Sequence, residues 1–275
     1  MRSCQAGVRD YRGSILITRI NINVADIRRE PQFHSERTSQ ALFNELVVVL
    51  EEKAGYCRVR TGDQYEGWIA EQFLTEHDNF DGQGPFTVVS NLASAFENAD
   101  LASRRVTSIP YGCQLFGTNE REFLKILSER YGDIFVKRSD LSDPDDIKEA
   151  FDSESNDLTT EAEKFLGAPY LWGGRTFFGI DCSGFIQAIM KRFGILLPRD
   201  TKDQIRCGED VKREEIRAGD LLFFPRHVTL AISGSLMIHS SLSNGGVTFN
   251  SFDPQSPVYS EHLDESFIAA RRVLE

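Results

Sequence analysis

Asp181-Cys182-Ser183-Gly184-Phe185-Ile186-Gln187-Ala188-Ile189-Met190-Lys191-Arg192-Phe193-Gly194 is the stretch on which the fold turns. Phe185, Ile186, Ile189 and Phe193 recur at helical spacing, which predicts a helix from about Cys182 to Phe193 that stops at Gly194. Strand-length apolar runs follow at 220–224, 227–232, 236–239, 247–250 and 267–273. A helix followed by such a series makes this part of the chain one α+β unit.

Cys182 stands where a loop becomes the first turn of that helix. Unpaired backbone N–H groups and the helix dipole favour the thiolate there, the form that attacks carbonyls. The same position also suits a small buried hydrophobe, the commoner fate of a free cysteine. His227 and His239 lie on consecutive predicted strands joined by Ser233-Gly234-Ser235. If all three residues form the loop, Thr229 faces His239 and His227 projects from the same side, a diagonal pair within reach. A two-residue loop shifts the register and turns the histidines apart. Either histidine alone reads as a satisfied strand-end residue. Together, downstream of a helix-start cysteine, they point to a triad. His227 takes the thiol proton and later protonates the leaving amine, while His239 holds the imidazole through its other nitrogen.

Upstream, residues 15–78 read as short strands between turns, among them 46–50, 56–60 and 67–70, which suggests a small barrel. A weaker version runs from about Phe86 to Leu141, with strands at 86–89, 113–116, 124–127 and 134–136, and Asp81-Gly82-Gln83-Gly84-Pro85 reads as the linker between the two. From Asp140 to Glu161 nine acidic residues stand against one lysine, a solvated connection. Thr160 and Glu163 form a capping box for a helix ending at Gly167. The expected domains are 1–78, 79–141, an acidic linker 142–157, and 158–275.

The net charge of −11 disfavours nucleic acid or an anionic membrane as partner. Five scattered cysteines argue against a disulfide framework and for a reducing compartment. With no CxxC and no HExxH, no zinc site is expected. No stretch reaches the length of a membrane span. The first twenty residues hold only the short apolar run Ile15-Leu16-Ile17 between charges, so no leader is read and a cytoplasmic chain is expected; a chain trimmed of its leader would read the same.

A longer ordered series then carries a resemblance. Ala168-Pro169-Tyr170-Leu171-Trp172-Gly173-Gly174 leads into Asp181-Cys182-Ser183-Gly184-Phe185; Leu197-Pro198-Arg199-Asp200-Thr201, Ala218-Gly219-Asp220-Leu221-Leu222-Phe223-Phe224, His227-Val228 and Met237-Ile238-His239-Ser240-Ser241 complete it. Over residues 158–275 this resembles the NlpC family of bacterial cell-wall cysteine peptidases, whose fold is a reduced papain-like α+β domain. The two barrels in front are similar to bacterial SH3-like domains, the first, from Phe43-Asn44-Glu45 to Gly67-Trp68-Ile69, more closely than the second. The combination resembles γ-D-glutamyl-L-diamino-acid endopeptidases, which act on murein tripeptides or tetrapeptides with a free N-terminal L-alanine. No cofactor and no obligate protein partner are implied.

The resemblance makes Cys182, His227 and His239 the catalytic residues. Tyr170 matches a tyrosine beside the nucleophile that contacts substrate or oxyanion, or else it is an ordinary half-buried aromatic. Asp181 matches a carboxylate that pairs with the substrate amine, and it also suits a helix N-cap. Ser183, Asp200 and Thr201 match positions near the glutamyl carboxylate or the pocket wall, and Trp172 is read as packing. Tyr65 and an acid such as Glu36 are expected to wall off the far end of the site, although Tyr65 equally suits the surface of a turn. The family usually has Gly where this chain has Thr229. A non-catalytic wall-binding module, or a papain-like acyltransferase or amidase on another substrate, stays open as an alternative.

Overall fold

The computed structural model describes residues 16–76, 82–143 and 156–274. The chain divides into two compact units, Met1–Pro144 and Asp145–Glu275.

The first unit is all β. Strands β1 (Ile17–Ile20), β2 (Val24–Arg28), β3 (Arg37–Leu42), β4 (Leu46–Lys53), β5 (Tyr56–Arg60), β6 (Glu66–Ala70) and β7 (Leu74–Glu76) form one sheet in the order β3-β2-β6-β5-β4-β1-β7. Strands β8 (Gln83–Val88), β9 (Leu92–Phe96), β10 (Arg105–Pro110), β11 (Gln114–Glu120), β12 (Phe123–Ser128), β13 (Gly132–Lys137) and β14 (Leu141–Ser142) form a second, in the order β10-β9-β13-β12-β11-β8-β14. Adding seven to each number of the first order gives the second, so the weaker half is a structural repeat of the stronger one. Alternation supplies the first core: Val47 and Val49 of β4, Cys57 and Val59 of β5, and Ile69 of β6 point inward.

The two halves are not independent. Leu42 and Phe43, at the end of β3, are buried in the core of the second sheet with Val88, Leu115 and Ile134. Asn44, at a positive φ of 66° in the next turn, donates from Nδ2 to the Gln114 carbonyl at 2.8 Å. The segment read as a linker is also corrected. Gln83–Val88 is strand β8, and a Cβ on Gly84, whose φ is +143°, would stand 2.7 Å from the Leu115 carbonyl oxygen. That glycine serves close approach to β11 rather than a loose connection; Asp81 lies outside the described residues.

In the second unit α1 spans Asn156–Glu163. Thr160 therefore sits inside the helix, and the expected capping box at Thr160 does not form, because the helix already includes Asn156 and Asp157, the last two residues of the segment read as linker. Strand β14 ends at Ser142, and residues 144–155 of the expected linker 142–157 lie outside the described residues. Helix α2 (Cys182–Arg192) follows a two-stranded ribbon of β15 (Arg175–Thr176) and β16 (Gly179–Ile180); α3 is Thr201–Gln204 and α4 is Glu261–Glu265. Strands β17 (Glu209–Val211), β18 (Leu221–Phe224), β19 (His227–Ala231), β20 (Leu236–Ser241), β21 (Gly246–Ser251) and β22 (Ala269–Arg272) make an antiparallel sheet in the order β17-β22-β18-β19-β20-β21. Both faces of its centre are covered, so β18 and β19 are buried almost throughout. One face carries the cluster of Leu222, Phe224, Ala231, Met237, Phe252 and Leu263, and α2 packs against β19 and β20.

Candidate active site

The start of α2 is built by the turn in front of it. Asp181 caps the helix, its Oδ1 accepting from the Gly184 N–H at 2.8 Å, while Oδ2 accepts from the Gly173 N–H at 2.9 Å. Arg199, buried beneath, donates to both oxygens, at 2.9 and 2.6 Å, and to Ser183 Oγ at 2.8 Å. Gly184 leaves room for this fold-back: a Cβ there would lie 2.4 Å from the Gly174 carbonyl oxygen. Cys182 thus occupies the first helical position on a rigid, charge-compensated platform.

Its Sγ takes a backbone hydrogen bond from Val228 and lies 3.8 Å from Thr201 Oγ1. Burial pushes the thiol up, the Asp181 charge adds to this, and the Val228, Thr201 and Arg199 contacts pull back without cancelling it. Burial and the Asp181 charge thus work against the thiolate that a helix start favours, while the Val228, Thr201 and Arg199 contacts work for it.

Register brings the histidines together. Leu230 faces Ile238 and Ala231 faces Met237, which sets Thr229 opposite His239 and leaves Ser233–Ser235 as a three-residue loop, closed by Ile232 N–H to the Leu236 carbonyl at 2.8 Å. His227 Nε2 lies 2.6 Å from His239 Nδ1, and His239 Nε2 lies 2.8 Å from Asn250 Oδ1. Burial, with His239 and then His262 nearby, lowers His227 from the ordinary 6.5 to about 3; burial likewise lowers His239, opposed by its bond to Asn250. A neutral imidazole can take a thiol proton as attack occurs, and His227 directly precedes Val228, whose backbone meets the Cys182 sulfur.

Tyr170 is held from two sides, its N–H donating to the Gly245 carbonyl at 2.9 Å and its backbone bridged to Ile180. Burial, with the nearby Cys182 and Asp181 charges, raises its phenol to about 12, so it stays a hydrogen-bond donor. Asp181 and Ser183 are buried in the Arg199 network, and the N-cap reading of Asp181 is the one its contacts display. Asp200 is half-exposed and pairs with Lys202 at 3.4 Å, whereas Thr201 meets the nucleophile itself. Trp172 is 60% exposed, so the packing role read for it is corrected. Glu36 and Tyr65 belong to the first unit, where Glu36 pairs with Arg29 at 2.8 Å and Tyr65 packs against the β1–β7 core. Sequence reading passed over Arg199, quoted only as part of a motif, and Asn250, which looked like any polar strand residue.

Among the described residues no group of three or more His, Cys, Asp or Glu could hold a metal ion, and no helix is long and apolar enough to cross a membrane. Among the described residues Cys57, Cys182 and Cys207 are free thiols.

Comparison with known proteins agrees with this geometry. Residues 167–272 match the NlpC/P60 family, and residues 27–74 match the bacterial dipeptidyl-peptidase Sh3 domain. The chain is 32% identical over 226 residues to a gamma-D-glutamyl-L-lysine dipeptidyl-peptidase of Bacillus subtilis, covering 74% of this chain and 71% of that one. It is 26% identical to dipeptidyl-peptidase 6 of Lysinibacillus sphaericus, over 90% of this chain and 95% of that one. A crystal structure of an NlpC/P60 family protein from Bacillus cereus shares the fold with a TM-score of 0.79 at 24% identity, covering 94% of this chain and all of that one. The chain belongs to the NlpC/P60 family, with a papain-like cysteine peptidase domain set behind a bacterial dipeptidyl-peptidase SH3 domain and its structural repeat.

Proposed function

We propose that the protein hydrolyses the γ-D-glutamyl–L-diamino-acid bond of short murein peptides that begin with a free L-alanine, releasing L-Ala-D-Glu, in the cytoplasmic recycling of wall fragments. The observation that carries the chemistry is the His227–His239 hydrogen bond on strands whose next residue, Val228, contacts the Cys182 sulfur. The substrate class is supported by the names of relatives that match most of the chain: two are gamma-D-glutamyl-L-lysine dipeptidyl-peptidases and a third is a dipeptidyl-peptidase. The cytoplasmic location is supported by the sequence alone, whose five scattered cysteines suit a reducing compartment.

In this reading the Cys182 sulfur attacks the γ-carbonyl carbon as its proton passes to His227. The tetrahedral oxyanion is met by the Cys182 N–H, a free donor at a helix start, and by the Tyr170 hydroxyl. His227 then protonates the departing diamino-acid nitrogen, and water, deprotonated by the same ring, cleaves the thioester. Thr201 lines the pocket beside the sulfur and Asp200 stands next to it. Asp181 and Ser183 contribute from the Arg199 network, and any amine contact by Asp181 adds to five donors it already holds.

Purified protein incubated with L-Ala-γ-D-Glu-L-Lys, with its N-acetylated form and with intact sacculi tests the substrate reading. Cleavage of the free-amine peptide well above the other two is expected. Equal cleavage of the acetylated peptide, or release from sacculi at a comparable rate, would contradict it.

A further inference from the structure

We infer that Asn250 is a positioning residue of this site, fixing the tautomers of both histidines so that His227 acts on the thiol through Nδ1. The inference rests on the cysteine-peptidase reading and goes one residue beyond the triad.

Asn250 lies on β21 opposite Met237, two residues along from Thr248, which faces His239. Alternation therefore puts the carboxamide on the same face as the His239 ring. Its orientation is settled from the other end, where Nδ2 donates to the Val258 carbonyl at 3.1 Å. The flipped amide would set its oxygen against that carbonyl, acceptor against acceptor. Oδ1 is thus the atom 2.8 Å from His239 Nε2, and it also receives Asn244 Nδ2 at 3.2 Å.

A carboxamide oxygen only accepts, so His239 carries its proton on Nε2. The neutral ring then has a bare Nδ1, and the group 2.6 Å away, His227 Nε2, must be the donor. A neutral His227 protonated on Nε2 keeps its lone pair on Nδ1, the atom left to receive the Cys182 proton. Burial holds both rings neutral, as this chain of donors requires. During attack the S–H bond breaks and the proton moves to Nδ1. The imidazolium goes on donating from Nε2 to His239, and the Nδ1 proton later leaves on the amine. No proton passes to His239 or Asn250. The titratable groups that bear on His227 from other elements are His239 of β20 and, after it, His262 of α4.

The test compares the full-length wild type with Asn250→Ala and Asn250→Asp, using 15N spectra of labelled histidines, kcat and KM on the tripeptide, and the pH profile of Cys182 alkylation. Both wild-type rings are expected to be protonated on Nε2. Asn250→Ala should give mixed tautomers and lower kcat roughly 10- to 100-fold, with KM within about twofold. Asn250→Asp keeps the acceptor, so it should retain the tautomers and most of kcat. Its charge favours the imidazolium, which should move the acid limbs of turnover and alkylation to higher pH. Wild-type His227 protonated on Nδ1 would overturn the inference. So would wild-type tautomers and kcat in Asn250→Ala, or equal losses in both variants with unmoved acid limbs. A wild type that cleaves no tripeptide would count against the substrate proposal, leaving the spectra and the alkylation profile to decide this point.

Discussion

The charged residue with most at stake in the second unit is Arg199, buried with its guanidinium on both oxygens of Asp181. Removing one partner of a buried ion pair strands the other, so Arg199→Ala is expected to destabilise the unit by about 3–5 kcal/mol in urea unfolding. The histidines carry a pH signature. Their folded values lie below the ordinary 6.5, so the unfolded chain binds protons there that the native site refuses. Their contribution is intact above about pH 6.5 and is lost as pH falls below it, for His227 down to about 3, by up to about 1.4 kcal/mol per unit for each ring. Urea midpoints at pH 7, 6 and 5 should fall less steeply for His227→Gln than for the wild type; parallel slopes would contradict buried neutral rings. Cys182, His227 and His239 were legible as residues because motif order and strand spacing point to them together. Asn250 and Arg199 were not, since their roles depend on register and burial that no spacing reveals.

At the scale of elements, α2 and the β19–β20 hairpin set the reacting geometry. The helix was readable from its apolar spacing, and the strands to within a residue or two. Gly184 was visible only as part of a motif, yet the first turn closes on Gly174 because it lacks a Cβ. Gly184→Ala should fold, with the α2 start displaced and turnover reduced at least about tenfold; full activity with an unchanged melting temperature would contradict the close approach. Strands β9 and β10 escaped sequence reading for a different reason. The inward residues of β9 are Ala93 and Ala95, too small to give a hydrophobic alternation that stands out. Gly84 misled in the other direction, marking a tight crossing rather than a hinge.

For the whole molecule, Leu42 and Phe43 carry the chain of the first sheet into the core of the second, so the two sheets are expected to unfold together. Phe43→Ala is expected to cost about 3–5 kcal/mol and to lower the unfolding of both sheets together; a shift confined to residues of one sheet, followed by amide exchange, would contradict this. The separate domains 1–78 and 79–141 read from the sequence followed turn residues, which mark chain reversals but not which core a side chain enters. The account as a whole stands on Cys182 as the nucleophile for a γ-glutamyl bond. The most direct measurement is mass-spectrometric detection of L-Ala-D-Glu from L-Ala-γ-D-Glu-L-Lys incubated with wild type and with Cys182→Ala. Release by the wild type and at least a 10³-fold loss in the variant, on the order seen when a nucleophile is removed, is the predicted result. No release by a wild type whose Cys182 thiol is intact, or equal release by both, would contradict it.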